Sequence, residues 1–275
     1  MTMDLATLAP LFALLAAVGV FAGLIAGLLG IGGGAVLVPA FYYVFSALGF
    51  PQDHLMHVAV GTSLATIVFT SQRSVRTHAG KGAVDWDLLK AWAPWVASGA
   101  ALGGLVAGSL DTRGLMIVFG SLALLTSAQM GLGNPKTRLG EAPPQGPTRA
   151  AWGLGLGFLS ALMGIGGGAF GVAILSLYGV AIHRAIGTAS GFGFIIALPS
   201  MLLFILTGWG EPGRPPYSLG YVNLPAFLLI TPLTALLAPY GARLAHKLDV
   251  KPLKRTFAVF LGLIALNMLR KAFWG

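Results

Sequence analysis

The chain of 275 residues contains no cysteine. Disulfides, thiolate nucleophiles and cysteine-held zinc or iron–sulfur centres are thereby excluded. Charge is nearly as scarce, since Asp, Glu, Lys and Arg make up 9% of the residues, where soluble proteins carry roughly a quarter. Hydrophobic residues reach 56% and the mean hydropathy is +0.83. These values describe a polytopic membrane protein, with no polar stretch long enough to hold a soluble core. The stretch Met1 to Pro10 carries no lysine or arginine. It lacks the basic start of a cleaved signal peptide, so the first helix is expected to be retained.

Carboxylates are few and badly placed for moving cations. The whole set is Asp4, Asp53, Asp85, Asp87, Asp111, Glu141, Glu211 and Asp249, each expected in a loop or at a span edge. Cation pumps and proton relays keep carboxylates at membrane depth, so cation transport is disfavoured. So are an intramembrane aspartyl protease and a carboxylate-based phosphatase. No Ser-His-Asp set, metal-ligand spacing or nucleotide loop stands out, and no cofactor or metal is expected. The net charge of +9 comes mostly from short loops, as membrane insertion requires. No basic cluster is interleaved with exposed aromatics, so no nucleic-acid partner is expected.

Glycine is what the chain has in excess, with 40 residues. Gly30-Ile31-Gly32-Gly33-Gly34 and Gly164-Ile165-Gly166-Gly167-Gly168 are the same five residues, 134 positions apart, each inside an apolar stretch. Each glycine in a helix interior costs about 1 kcal/mol relative to alanine, and packing alone does not justify that three times in two places. Irregular backbone at membrane depth persists only where protein buries it or a cavity borders it. Other glycine pairs, Gly23–Gly27, Gly99–Gly103 and Gly153–Gly157, fit ordinary close packing of membrane helices.

The apolar runs are Leu8–Leu48 broken at the first glycine run, Leu55–Thr77, Trp86–Ala107 and Leu115–Leu132. After a polar link come Ala150–Ile182 broken at the second glycine run, Ala185–Gly208, Val222–Leu244 and Leu253–Phe273. The halves match beyond the glycines. His57-Val58-Ala59-Val60-Gly61-Thr62-Ser63 pairs with His183-Arg184-Ala185-Ile186-Gly187-Thr188-Ala189, and Gly82-Ala83-Val84-Asp85 with Gly220-Tyr221-Val222-Asn223. Leu110-Asp111 pairs with Leu248-Asp249, and Met130 with Met268. Repeats of this extent signal a duplicated fold.

Basic residues decide whether each glycine break is a kink or a reversal, because they gather on the cytoplasmic side. With kinks, one side holds 10 of them and the other 7. With reversals, Arg73, Arg76, Lys81, Lys90, Lys136, Arg138, Arg149, Arg184, Arg243, Lys247, Lys251, Lys254 and Arg255 share one side, 13 against 4. The remaining four are Arg113, Arg214, Arg270 and Lys271. Reversals are therefore expected. The fold expected is an all-α polytopic membrane protein of two inverted repeats, each a glycine-broken helical hairpin plus three transmembrane helices. Residues 1–132 form the first repeat, 133–149 a cytoplasmic linker and 150–275 the second repeat, with both termini outside. The arms of the second hairpin, roughly 15 residues each, are short of the ~20 a span needs and read as a re-entrant loop. The first arm, Leu8–Leu29, is long enough to cross.

In each hairpin the second arm begins at the glycines, placing a helix amino end at membrane depth. Such an end carries partial positive charge and unpaired N–H groups, and glycines let an oxyanion approach them. Gly32, Gly33, Gly34, Gly166, Gly167 and Gly168 are thus candidate anion-binding residues, joined by the hydroxyls of Thr62, Ser63 and Thr188. His57 and His183 are candidates for proton coupling or gating. The polar run Thr70-Ser71-Gln72-Arg73-Ser74-Val75-Arg76, with Gln72, Arg73 and Arg76 foremost, forms a candidate cytoplasmic vestibule, since its counterpart Ile196–Leu202 is nearly apolar.

The run Gly-Ile-Gly-Gly-Gly-Ala-Val-Leu-Val-Pro at 30–39, His57-x-x-x-Gly61-Thr62-Ser63 and Gly82-x-Val84-Asp85, with their echoes in the second half, resemble the TauE/SafE sulfite-exporter family of bacterial membrane proteins. The resemblance covers nearly the whole chain. The second copy departs from it, with Ala173 where Pro39 stands and Ala189 where Ser63 stands. It implies transport of sulfite, thiosulfate or organosulfonates across the bacterial inner membrane, often outward, without ATP hydrolysis by the chain. The expected function is a secondary transporter of a small sulfur-containing anion, working by alternating access within the lipid bilayer. The alternatives are an anion channel and an intramembrane enzyme acting on a lipid phosphate.

Overall fold

The computed structural model describes residues 5–30, 32–133, 137–248 and 250–275. Ile31 of the first glycine run, Asp4, Lys136 and Asp249 lie outside the described residues, as does the side chain of Lys251.

Among the described residues the apolar runs form ten helices. They are α1 Leu5–Leu29, α2 Gly34–Ala47, α3 Leu55–Ala79, α4 Trp86–Ser109 and α5 Thr112–Leu132, then α6 Gly146–Met163, α7 Gly168–Leu177, α8 Ile182–Thr207, α9 Leu224–Ala245 and α10 Val250–Trp274. A two-residue hairpin, β1 Ser218–Leu219 and β2 Val222–Asn223, precedes α9. Helices dominate because lipid offers the backbone no hydrogen-bond partner. Polar residues mark their starts: Asp85, Asp111 and Asn223 accept the amides of Leu88, Gly114 and Ala226 as N-caps. Six helices, α1, α3, α5, α8, α9 and α10, are long and apolar enough to cross a membrane. Large apolar side chains such as Leu125, Leu206, Leu228, Val259 and Leu263 are exposed around the outside. The protein is thus a multi-pass, all-α membrane protein.

Helix contacts follow a twofold pattern. α1 packs on α9 and α4 on α6; α3 packs on α8 and α5 on α10; α3 also meets α9, and α8 meets α4. Exchanging α1–α5 for α6–α10 in order reproduces this set. The expected glycine pairs sit at close helix contacts. Gly23 and Gly27 lie against Thr234 and Ala238, Gly99 and Gly103 against Leu154 and Phe158, and Gly153 and Gly157 against Trp95 and Val96. The central pair α3 and α8 runs antiparallel, with Gly61 beside Phe204, Ser71 beside Gly193 and Ser74 beside Ser190.

The chain turns back at each break. α2 returns along α1 and ends where the Tyr43 hydroxyl donates to Asn267 Oδ1 at 2.8 Å. α7 returns along α6, and Trp152 Nε1 near the start of α6 donates to the Tyr178 hydroxyl just past α7 at 3.1 Å. The two hairpins enter from opposite ends of the bundle. One end gathers His78, His246 and the ion pair of Arg184 with Asp85, 3.0 Å apart. The other gathers Asp53, whose carbonyl accepts from Thr112 Oγ1 at 2.8 Å, and Lys271, whose ammonium sits over the Tyr42 and Tyr43 rings. Kinks in place of turns would put Arg184 and Lys81 at opposite ends, whereas here Arg184 reaches Asp85, four residues past Lys81.

Two details depart from the sequence reading. The second hairpin is lopsided, 18 residues in α6 and 10 in α7, because α6 begins at Gly146 inside the stretch expected as linker. Pro147 sits in its first turn, where a proline lacks no bond that the helix needs. The span most polar by sequence, α3, is also the most buried of the six: 89% of its membrane-length window is enclosed, against 28% for α9.

Candidate functional site

The two glycine breaks meet in the buried centre. Gly30, Gly32 and Gly33 have φ of 71°, 76° and 81°, and Gly164 and Gly167 both 68°. That left-handed backbone is open to glycine at little strain, and it carries the chain through each turn. A Cβ on Gly32 would stand 3.2 Å from Gly166 Cα and 3.2 Å from Ile67 Cγ2, and one on Gly34 would run into the Gly164 carbonyl and Ile165. The first intrahelical bonds are Val36 N to Gly33 O at 3.0 Å in α2 and Gly171 N to Gly167 O at 2.7 Å in α7. The amides of Gly34 and Ala35, and of Gly168, Ala169 and Phe170, precede those bonds. Two helix amino ends therefore stand within a few ångströms of one another, with α3 alongside. The tips are in contact, so an anion fits between them only after they part.

Ser63 sits at this junction. Its hydroxyl donates to the Gly164 carbonyl at 2.9 Å and holds the second break in place. Thr62 and Thr188 are used differently. Thr62 Oγ1 accepts the Asn223 amide at 2.9 Å, and Thr188 Oγ1 accepts the Asp85 amide at 2.9 Å. The carbonyl of Tyr221 closes on Gly61, and that of Ala83 on Gly187. Each Gly-Thr pair is thus the seat for the Gly-x-Val-(Asp/Asn) segment of the opposite half, which caps α9 or α4. The hydroxyl oxygens of Thr62 and Thr188 carry those amides.

His57 and His183 lie at opposite ends. His57 is buried among His54 and Tyr221; its Nε2 faces the Ala107 carbonyl at 3.1 Å and so carries the proton, while Nδ1 has no partner among the described residues. His183 is exposed and stacks on His246, with ring centroids 5.4 Å apart. Burial lifts the Tyr221 phenol above its ordinary pKa, helped by the nearby Glu211 carboxylate. Gln72 is half-buried, and Arg73 and Arg76 are exposed. They stand on the outer side of α3, while Thr70, Ser71, Ser74 and His78 turn inward.

Sequence reasoning had Thr70, Ser71 and Ser74 only as part of the polar run 70–76, and missed that they join Thr66, Thr231, Thr234, Ser190 and His78 in an inward column. Thr70 Oγ1 lies 2.8 Å from Thr234 Oγ1, Thr231 Oγ1 lies 3.4 Å from Thr66 Oγ1, and Ser74 Oγ lies 3.2 Å from Ser190 Oγ. His78 closes it, with Nε2 3.0 Å from the Gly27 carbonyl and Nδ1 3.2 Å from His246 Nε2. Ser160 was also missed. It is fully buried, has no hydrogen-bond partner among the described residues, and its Oγ lies 3.4 Å from where a Cβ on Gly167 would stand. Its counterpart in the first half is Ala26, so the repeat gave no signal; an isolated serine before a glycine run was the only one.

Fold and junction together describe a polytopic membrane protein with two broken helices meeting at mid-bundle, an arrangement found among transporters. The family model for the sulfite exporter TauE/SafE matches residues 15–268, and the chain belongs to that family. It is 37% identical over 254 residues to a probable membrane transporter protein of Haemophilus influenzae, covering 92% of this chain and 96% of the relative. It is 28% identical over 262 residues to a probable membrane transporter protein of Methanocaldococcus jannaschii, covering 94% and 96%. A probable membrane transporter protein of Bacillus subtilis is 26% identical over 278 residues, covering 94% and 97%. No solved structure matches the chain.

Proposed function

We propose that this protein is a secondary transporter, not an enzyme, that moves a small sulfur-containing anion such as sulfite, thiosulfate or an organosulfonate outward across the bacterial inner membrane. The single observation behind this reading is the meeting of Gly32 and Gly166 at the tips of two hairpins that enter from opposite ends. The amides of Gly32, Gly33 and Gly34 and of Gly166, Gly167 and Gly168 would bind the oxyanion, with Ser63 fixing the second break and Ser160 adding a buried hydroxyl donor. A sulfonate or sulfite presents several oxygens to two amino ends and needs no buried arginine. The antiparallel α3 and α8 support reading residues 1–132 and 150–275 as inverted repeats. The end holding Asp85, Arg184 and His246 is then cytoplasmic, with both termini outside. Alternating access follows if the tips part toward one side at a time. The sequence of both tips is glycine and isoleucine, with no carboxylate, which argues against a carboxylate-dependent lipid-phosphate enzyme.

The test is uptake of labelled sulfite, thiosulfate and sulfoacetate by proteoliposomes, beside sulfate and rubidium. Saturable uptake of at least one sulfur anion supports the reading. Gly166→Ala adds one methyl at 3.1–3.4 Å from Ile67, Gly193 and Gly32, and should lower that uptake at least about tenfold, the equivalent of some 1.4 kcal/mol, with membrane insertion intact. Uptake of rubidium alone, or of no sulfur anion, overturns it.

A further inference from the structure

A cavity of about 20 Å³ lies beside the second hairpin, and one of its walls is Lys254. It has room for about one water, too little to seat an anion. Its other walls reach both breaks: Leu29 immediately precedes Gly30, and Ala169 immediately follows Gly168. The rest of the lining is apolar. A lysine one turn into a span ordinarily carries its ammonium out to the headgroups, and the neighbouring Arg255 is exposed in that way. Lys254 is instead partly buried and borders the cavity. A lysine held against an apolar wall within a membrane helix is costly, and such residues mark candidate ion paths.

The repeat sharpens the point. Leu29, Met130, Ile182 and Lys254 correspond to Met163, Met268, Met56 and Met116 in the opposite half. All four methionines are buried, so flexible apolar side chains fill the equivalent region on the other side. The two halves share their breaks but not this charge.

We propose that Lys254 is an anion-binding residue: its ammonium meets the cargo at the mouth of this cavity, on the face that holds Arg184 and His246, and passes it to the amides at the breaks. This rests on the reading of the cargo as an anion. Its partner chemistry is a small oxyanion arriving from that face only.

Labelled sulfite transport is measured from each face separately, in right-side-out and inside-out vesicles. Lys254→Met should raise the half-saturating sulfite concentration from the Lys254 face about tenfold and leave the opposite face unchanged, and Lys254→Arg should stay near wild type. Since the chain has no cysteine, Lys254→Cys carries a unique thiol. Modifying it with 2-aminoethyl methanethiosulfonate, which restores a cation, should restore the low half-saturation, and the neutral methyl reagent should not; the rescue also shows a folded variant. Half-saturation unchanged in Lys254→Met, or equal rescue by both reagents, overturns the proposal. A wild type that carries no sulfur anion overturns the cargo reading and this inference with it, whereas normal transport beside an unaffected Lys254→Met overturns this inference alone.

Discussion

Thr62 and Thr188 show how far single residues could be read before their neighbours were known. Their repetition at equivalent positions was visible in the sequence, and so was that of Asp85 and Asn223. That one motif docks on the other, across the halves, was not, because a repeat lists equivalent positions and says nothing of contacts. The structure seats the Asn223 amide on Thr62 and the Asp85 amide on Thr188, at 2.9 Å each. Both threonines are fully buried, so losing the hydroxyl strands an N–H group in an apolar interior. Thr62→Val should therefore lower stability by about 1–3 kcal/mol, seen as an earlier thermal transition in detergent, while Thr62→Ser stays near wild type. The half-saturating anion concentration should hold constant in both. A raised half-saturation with an unchanged melting transition would instead show Thr62 contacting the anion.

At the scale of elements, the hairpins were legible and the polar face of α3 was not. Glycine spacing located both turns, and the distribution of lysine and arginine fixed that they are turns, since charge placement follows insertion topology. Thr70 and Ser74 showed only as part of the polar run 70–76, and Thr66 not at all, because a membrane-helix threonine normally bonds the carbonyl four residues back, as Thr66 and Thr70 also do here. Only tertiary packing makes them a column that ends in His78, His246 and His183. That cluster joins the ends of α3, α9 and α8, and it predicts a pH response. The His246 pKa is pushed below its ordinary value, first by burial and then by His183 and Lys81; the groups facing it are His78, His183 and Lys81. On acidification the unfolded chain takes up this proton before the folded one, so stability should fall as pH drops through the ordinary histidine value of about 6.5. Thermal transitions recorded from about pH 7.5 to about pH 5.5 should decline for the wild type and decline less for His246→Asn. Equal slopes would show that the cluster does not sense protons.

For the whole molecule the question is whether the halves move, because the meeting of the two tips at Gly32 and Gly166 admits cargo only if they separate. Two pairs map onto themselves when the halves are exchanged, α3 with α8 and α5 with α10; α3 and α8 are the pair beside the breaks, and so they lie where rocking of one half against the other is hinged or sheared. Ser74 and Ser190 face each other across that pair, with hydroxyls 3.2 Å apart, close enough for cysteines to reach disulfide geometry with a small adjustment. The natural chain supplies no competing thiol. Ser74→Cys combined with Ser190→Cys should oxidise to a single intramolecular disulfide that fastens the two helices at the Arg184 end. A carrier so fastened should lose at least about nine-tenths of its uptake, a barrier rise near 1.4 kcal/mol or more, and regain it on reduction. Each single cysteine variant, treated with the same oxidant, should transport normally. A channel would behave otherwise: with its pathway already defined, flux through the oxidised protein should persist and stay linear in anion concentration. Persistent, saturable uptake after complete cross-linking would mean that the tips part without relative motion of α3 and α8, and would shift the moving parts to α2 and α7 themselves.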